Sequence, residues 1–239
     1  MLSWGMVTDT GFRRSGNEDS LVAAPPVFAV ADGMGGHAAG EVASLAVVTR
    51  LAELAADQPT SVAAIDAALQ QANSDIVDTA DDAQLGAGTT VTGVALASHE
   101  GTPCWAVFNV GDSRVYLLED GALGQVTTDH SLVQEMVDAG MLSASEAENH
   151  PDSNIITRAV GFNTNPLADY WLLPLQTGAR FLICSDGLTK ELSDSEIEAQ
   201  LKSGHPAQKT AEALTEAALG AGGRDNVTVM VLDVGEVTP

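Results

Sequence analysis

Apolar runs of strand length recur at Val27–Ala31, Thr90–Ala97, Trp105–Val110, Arg114–Leu118, Phe181–Cys184 and Val227–Val231, several bounded by Gly or Asp, and each reads as a strand. Between Ser61 and Thr79 the period changes. Val62, Ile65, Leu69, Ala72 and Ile76 recur at helical spacing with Asp and Gln elsewhere, which predicts an amphipathic helix packed by one face. The Ala- and Leu-rich stretch Ala38–Ala56 predicts another helix just before it. Ser131, Ser143 and Ser193 each stand three residues ahead of a Gln or Glu, the spacing of a capping box, and mark further helix starts. Asn109–Ser113 and Glu119–Gly121 read as hairpin turns between antiparallel strands.

Hairpins combined with consecutive long helices argue for α+β layers, not a regularly alternating parallel sheet. No repeat or linker divides the chain, so residues 1–239 are expected to form one domain. The least regular stretch is 128–161, where short capped segments surround His150-Pro151; it is expected to be a flap over a site.

Composition narrows the class. With 45% hydrophobic residues the chain can fill a core and is not a disordered acidic tail. Its 33 Asp and Glu against 10 Lys and Arg give a net charge of -23, which repels phosphate backbones and anionic lipid, so neither nucleic acid nor membrane is an expected partner. The N-terminus lacks a basic segment followed by an apolar one, and no apolar stretch approaches bilayer-spanning length. Cys104 and Cys184 sit inside apolar runs and are expected to be buried, reduced thiols of a cytoplasmic protein.

The acids carry the chemistry. Asp32 closes VFAVA, Asp186 closes FLICS, Asp112 lies in the VGDSR turn and Asp225 opens RDNVTVMVL. Any one of them is an ordinary turn residue. Four at strand ends, with Asn17-Glu18-Asp19 near the first strand, point instead to a convergent site whose mutual repulsion demands cations. Oxygen donors select Mg2+ or Mn2+, and no His or Cys spacing suits zinc. The stretch Gly33 to Ala38 satisfies a dinucleotide-binding pattern, with Glu53 twenty residues past Gly33, but Glu53 falls in a helical run and no second strand appears before Thr90. There is no P-loop, and Lys190 rather than Arg follows Cys184 by six residues, which removes a cysteine-and-arginine phosphatase loop.

Taken in order, Thr10-Gly11 to Arg14, Asn17-Glu18-Asp19-Ser20, Asp32 to His37, Gly88-Thr89-Thr90, Val110 to Arg114, Thr128-Asp129-His130-Ser131, His150-Pro151, Ile156-Thr157-Arg158 with Gly161, Cys184 to Gly187 and Asp225 to Thr228 resemble the metal-dependent protein serine/threonine phosphatases of the type 2C (PPM) family, the compact bacterial members in particular. The resemblance implies a four-layer α-β-β-α sandwich with two central antiparallel sheets and a metal cleft at one end. It implies a pair of Mn2+ or Mg2+ ions held by Asp32, the Gly33 carbonyl, Asp186 and Asp225, and a third ion at Asp112 and Asp186. Glu18 and Asp19 match positions that orient metal-bound waters, and Arg14 matches the residue that binds the substrate phosphate. The implied reaction is hydrolysis of phosphoserine and phosphothreonine by direct attack of a metal-bridging hydroxide. The implied partners are phosphoprotein substrates of a serine/threonine kinase, met by a monomer. A regulatory module that binds phosphoproteins without turnover, and a hydrolase of small phosphate esters, are the competing functions.

Met34 stands where animal relatives carry a His. His37 is read as structural, as are His130 and His150 in the flap; Arg114 and Arg158 are expected to pair with local carboxylates, and Ser20, Thr89, Thr90 and Asn226 to buttress the ligand-bearing turns.

Overall fold

The computed structural model describes residues 1–35, 38–56, 59–83, 86–147, 150–162 and 167–235. One sheet runs in the order β1 (Leu2–Asp9), β11 (Val227–Val234), β10 (Arg180–Cys184), β7 (Arg114–Glu119) and β8 (Ala122–Gln125). The other runs β2 (Asp19–Ala24), β3 (Val27–Met34), β5 (Val91–His99), β6 (Thr102–Val110) and β9 (Asp169–Pro174), with the short β4 (Gly88–Thr89) against the end of β3. Every ladder is antiparallel.

Three apolar cores define the layers. Phe28, Val30, Val94, Trp105, Val107, Phe181, Ile183, Met230 and Leu232 meet between the sheets, where Trp105 packs edge-on against Phe181 at 5.5 Å between ring centroids. The alternate residues of β3, β5 and β6 face α1 (Ala38–Ala52) and α2 (Val62–Ala83), so Ala29, Ala31, Ala95 and Phe108 share a core with Val47, Leu51, Ile65, Leu69, Ala72 and Ile76. On the far side, Leu182, Cys184, Val229 and Val231 pack on Leu188 of α5 (Asp186–Thr189), Ile197 and Leu201 of α6 (Asp194–Leu201) and Ala211, Leu214 and Ala218 of α7 (Ala207–Ala221). These central strands are apolar on both faces because each face meets a layer. The result is the expected α-β-β-α sandwich. Among the described residues no helix is long and apolar enough to cross a membrane.

The helix starts follow the Ser signals. Ser131 caps α3 (Leu132–Asp138) by accepting from the Gln134 amide at 3.3 Å. Ser143 and Glu146 exchange bonds at the start of α4 (Ala144–Ala147), and Ser193 with Glu196 forms a capping box before α6. Asp120 and Gly121, with φ of 51° and 77°, make the two-residue hairpin loop between β7 and β8.

The other turn differs from expectation. Asn109–Ser113 does not close a hairpin, because β6 and β7 belong to different sheets. Gly111, at φ 107°, turns the chain across the sandwich, and the Asn109 side-chain amide holds that turn by donating to the Gly111 and Thr128 carbonyls at 2.9 and 3.1 Å. β1, β2 and β9 go beyond the strands the apolar runs predict, whereas β8 follows the Glu119–Gly121 hairpin turn as expected. β1 and β2 are edge strands whose mixed sequences bury few side chains and leave only a weak periodic signal.

The indole nitrogen of Trp105 is buried without a hydrogen-bond partner among the described residues, so its contribution is packing alone. Trp105→Ala is expected to cost about 3–5 kcal/mol in urea unfolding, and Trp105→Phe less than half of that. Equal losses for the two variants would contradict a purely apolar role.

Candidate metal centre

Antiparallel pairing brings the acids together. β3, β6 and β10 end, and β2 and β11 begin, at the same end of the sandwich. Asp32 near the end of β3, Asp112 just after β6, Asp186 just after β10, Asp19 at the start of β2 and Asp225 just before β11 therefore meet there. Asp19 and Asp32 are direct partners across β2 and β3, a like-charge pairing that a sheet ordinarily avoids.

A shell of hydroxyls and amides fixes each acid. Asp19 Oδ2 accepts from the hydroxyls of Ser185 at 2.8 Å and Thr228 at 2.7 Å, which join β2 to the other sheet. The Asp32 backbone is clamped from both sides: its amide donates to Thr90 Oγ1 at 3.1 Å and its carbonyl accepts from Thr89 Oγ1 at 2.9 Å. Thr90 in turn lies 2.8 Å from the Ser113 hydroxyl in the Asp112 turn. Asn226 donates to the carbonyls of Thr10 and Gly16 and accepts from the Glu18 amide at 2.9 Å, tying the Arg14–Glu18 loop to Asp225. Ser44 reaches from α1 to the Glu18 carbonyl at 2.6 Å and lies 2.9 Å from Ser20. Two glycines allow the close approach: a Cβ on Gly33 would stand 2.6 Å from the Glu18 carbonyl oxygen, and one on Gly187 would overlap the Asn226 carbonyl.

The electrostatics oppose this gathering. Burial first, and then the neighbouring Asp186 and Asp225, push Asp19 up to about 7 despite its two hydroxyl donors. Burial and Asp186 push Asp112 up to about 7. Asp32 is driven well above the usual carboxylate range by burial and by Asp19, Asp186, Asp112 and Asp225. Two side-chain cations face the cluster. Arg14, half exposed, grips Asp225 with two bonds of 2.7 Å, and Lys190 pairs with Asp186.

Other residues fall where local chemistry holds them. Arg114 pairs with Asp129 at 2.7 Å and Arg158 with Asp169 at 2.9 Å, so neither guanidinium points to the acids. His130 is buried; Nδ1 accepts from the Gly111 amide at 3.1 Å and Nε2 faces Asp169 at 3.1 Å, which makes it a brace for the Asp112 turn. His150 accepts from the Asp152 amide within its own turn. His37 lies outside the described residues. Sequence reasoning gave no role to Ser44, Ser113, Ser185, Thr228 or Lys190; Ser113, Ser185 and Thr228 lie inside singled-out motifs, which is the one signal that pointed to them.

Divalent cations fit this set of residues. Oδ1 of Asp19 and Oδ1 of Asp186 are buried without a hydrogen-bond partner among the described residues, and both belong to carboxylates inside the repelling cluster. Such atoms are costly unless a cation or proton meets them. Among the described residues no three Asp, Glu, His or Cys side chains gather closely enough to cage one ion by themselves. Carboxylate oxygens are the donors that Mg2+ and Mn2+ take, with carbonyls and water filling the remaining positions.

An antiparallel α-β-β-α sandwich with hydroxyl-braced aspartates at one end defines the class. A family model described as Protein phosphatase 2C matches residues 15–220. Serine/threonine protein phosphatase PstP of Mycobacterium tuberculosis is 42% identical over 98% of the chain, which spans only 45% of that relative. Serine/threonine phosphatase stp of Listeria innocua is 36% identical, with 95% of this chain and 93% of that protein covered. The solved catalytic domain of PstP in complex with two manganese ions superposes with a TM-score of 0.87 at 40% identity, covering 98% of this chain and 99% of that one. The chain belongs to the protein phosphatase 2C family.

A carboxylate whose folded pKa is raised binds extra protons in the folded state, so stability falls as pH climbs from about 4 toward 7 and the full penalty stands above that. EDTA-treated protein is expected to lose thermal stability between pH 5 and pH 8. Excess Mn2+ is expected to raise the melting temperature by about 5–10 °C at pH 8 and by less at pH 5, where it must displace protons. A melting temperature indifferent to both pH and metal would contradict the site.

Proposed function

We propose that this protein is a metal-dependent protein serine/threonine phosphatase acting on phosphoserine and phosphothreonine with Mn2+ or Mg2+. The carrying observation is the convergence of Asp19, Asp32, Asp112, Asp186 and Asp225 with buried, unpartnered carboxylate oxygens, in a chain of the protein phosphatase 2C family. In this reading Asp32, the Gly33 carbonyl, Asp186 and Asp225 hold a metal pair, and Asp112 with Asp186 offers a place for a third ion. When bound, the pair supplies Lewis-acid charge that activates water and polarises the phosphoryl group.

The chain's own residues do the rest. Asp19, held rigid by Ser185 and Thr228, and Glu18, whose backbone is fixed by Asn226 and Ser44, orient the water that attacks phosphorus. Arg14 presents a half-exposed guanidinium at the rim, and its fork suits two equatorial phosphate oxygens. Its present partner is Asp225, so phosphate capture requires that it exchange or share that carboxylate. Positioning plus charge suffices for a dissociative phosphoryl transfer, and no phosphorylated side chain is needed.

We read segment 128–161 as a flap whose two ends are anchored at the site. His130 braces Gly111 beside Asp112, and Val160 bridges to Thr89 beside Asp32. The two buried cysteines, Cys184 with its thiol pushed up to about 12 by burial, are compatible with a cytoplasmic setting and leave no reactive thiol at the centre. The expected partners are phosphoproteins made by a serine/threonine kinase.

Purified protein is expected to release phosphate from a phosphothreonine peptide only when Mn2+ or Mg2+ is supplied. Peptide binding without release would favour a recognition module, and preference for a small phosphate ester would favour the other hydrolase. Asp32→Ala and Asp225→Ala are each expected to lower turnover by more than about 100-fold, beyond what an outer-shell partner costs. Asp112→Ala should lower it about tenfold while two ions stay bound. Full activity in Asp32→Ala would contradict the assignment. The net charge of -23 adds a specificity expectation: at low salt, peptides with basic flanks should be hydrolysed more efficiently than neutral ones of equal length.

A further inference from the structure

Lys190 is the residue at the metal centre that the phosphatase reading leaves without a task. It follows the single turn of α5, its amide donating to the Asp186 carbonyl at 2.8 Å, and that turn sets its side chain over Asp186 with Nζ against the carboxylate. The side chain is two-thirds covered, and its backbone carbonyl is pinned by Arg224 at 3.1 Å, which Glu191 holds in turn. The ammonium is therefore built into the wall of the centre. It pairs with Asp186, one of the two carboxylates of the outer position, and the other, Asp112, lies within range of its charge as well as of the repulsion from Asp186 and Asp129. Arg14 pairs with a different carboxylate, Asp225.

We propose that Lys190 is an internal counter-cation for the Asp112–Asp186 position, which limits this protein to a tightly bound metal pair and leaves a third divalent ion weak. A fixed monovalent charge at two carboxylates neutralises part of what a third ion would neutralise, and repels that ion at short range. The orphaned Asp186 Oδ1 leaves the Asp186 carboxylate able to serve the pair while Lys190 takes Oδ2. The inference rests on the two-ion phosphatase reading and deepens it.

The test is Mn2+ binding by titration calorimetry and equilibrium dialysis on the full chain, wild type against Lys190→Gln, Lys190→Arg and the double variant Lys190→Gln/Asp112→Asn. Wild type and Lys190→Arg are expected to bind two ions tightly. Lys190→Gln is expected to bind a third at least about tenfold more tightly than wild type does, and the double variant to lose that gain. Three ions of comparable affinity in the wild type, or an unchanged third affinity in Lys190→Gln, would overturn the inference while leaving the metal-pair reading intact. A wild type that binds no ion would instead remove the phosphatase reading itself. Circular dichroism of each variant separates a binding change from misfolding.

Discussion

Repulsion among buried carboxylates is the constraint that the rest of this structure answers. Asp19, Asp32 and Asp112 are each held at a cost that grows with deprotonation, and Asp186 and Asp225 add to it from either side. A fold tolerates such a cluster only if the backbone beneath it is over-determined. Here the determination comes from hydroxyls and one amide: Thr89 and Thr90 on Asp32, Ser185 and Thr228 on Asp19, and Asn226 spanning from Asp225 to the loop of Glu18. None of these bonds discharges the cluster. They fix its geometry and leave its charge to be met by cations.

The sandwich makes that geometry possible because antiparallel order alternates chain direction. Strand ends far apart in sequence arrive at one edge of both sheets, so five acids spread from residue 19 to residue 225 become neighbours without any long loop having to carry them. The inter-sheet core of Phe28, Trp105, Phe181 and Met230 sets the distance between the two halves of the site. Core packing and site chemistry are therefore linked: the Ser185 and Thr228 bonds to Asp19 cross from one sheet to the other and hold only while that core keeps its thickness.

Much of this was legible in the chain. The central strands announce themselves as apolar runs because both faces are covered, the first helix shows as an Ala- and Leu-rich stretch and the second by its 3.6-residue period, and the acids are conspicuous because each stands at a strand end beside a turn residue. The less legible parts have physical causes. β1 and β2 lie at sheet edges with few buried positions, so their pattern is faint. The Asn109–Ser113 turn has hairpin composition but crosses between sheets, since composition records that the chain reverses and not which sheet receives it. Ser185 and Thr228 are silent for a similar reason: a hydroxyl at a strand end is ordinary until a carboxylate from the other sheet stands 2.7 to 2.8 Å away. Lys190 reads as a helix-surface residue until the position of Asp112 is known.

The overall acidity and the local cation requirement then become one problem seen at two scales. A chain of net charge -23 holds an anionic phosphoester at a distance everywhere except where positive charge is concentrated. Within the proposed phosphatase that place is the carboxylate end of the sandwich, where Arg14 and Lys190 already stand and where bound divalent ions would reverse the sign of the field over a few ångströms. Arg14 and Lys190 differ in the job their exposure permits. The half-exposed guanidinium of Arg14 can leave Asp225 for a ligand, whereas the covered ammonium of Lys190 is fixed on Asp186 by a pinned helix turn. One cation is placed to meet substrate and the other to set how much further positive charge the site accepts. The number of metal ions bound is on this view a property of a side chain beside the ligands as much as of the ligands themselves.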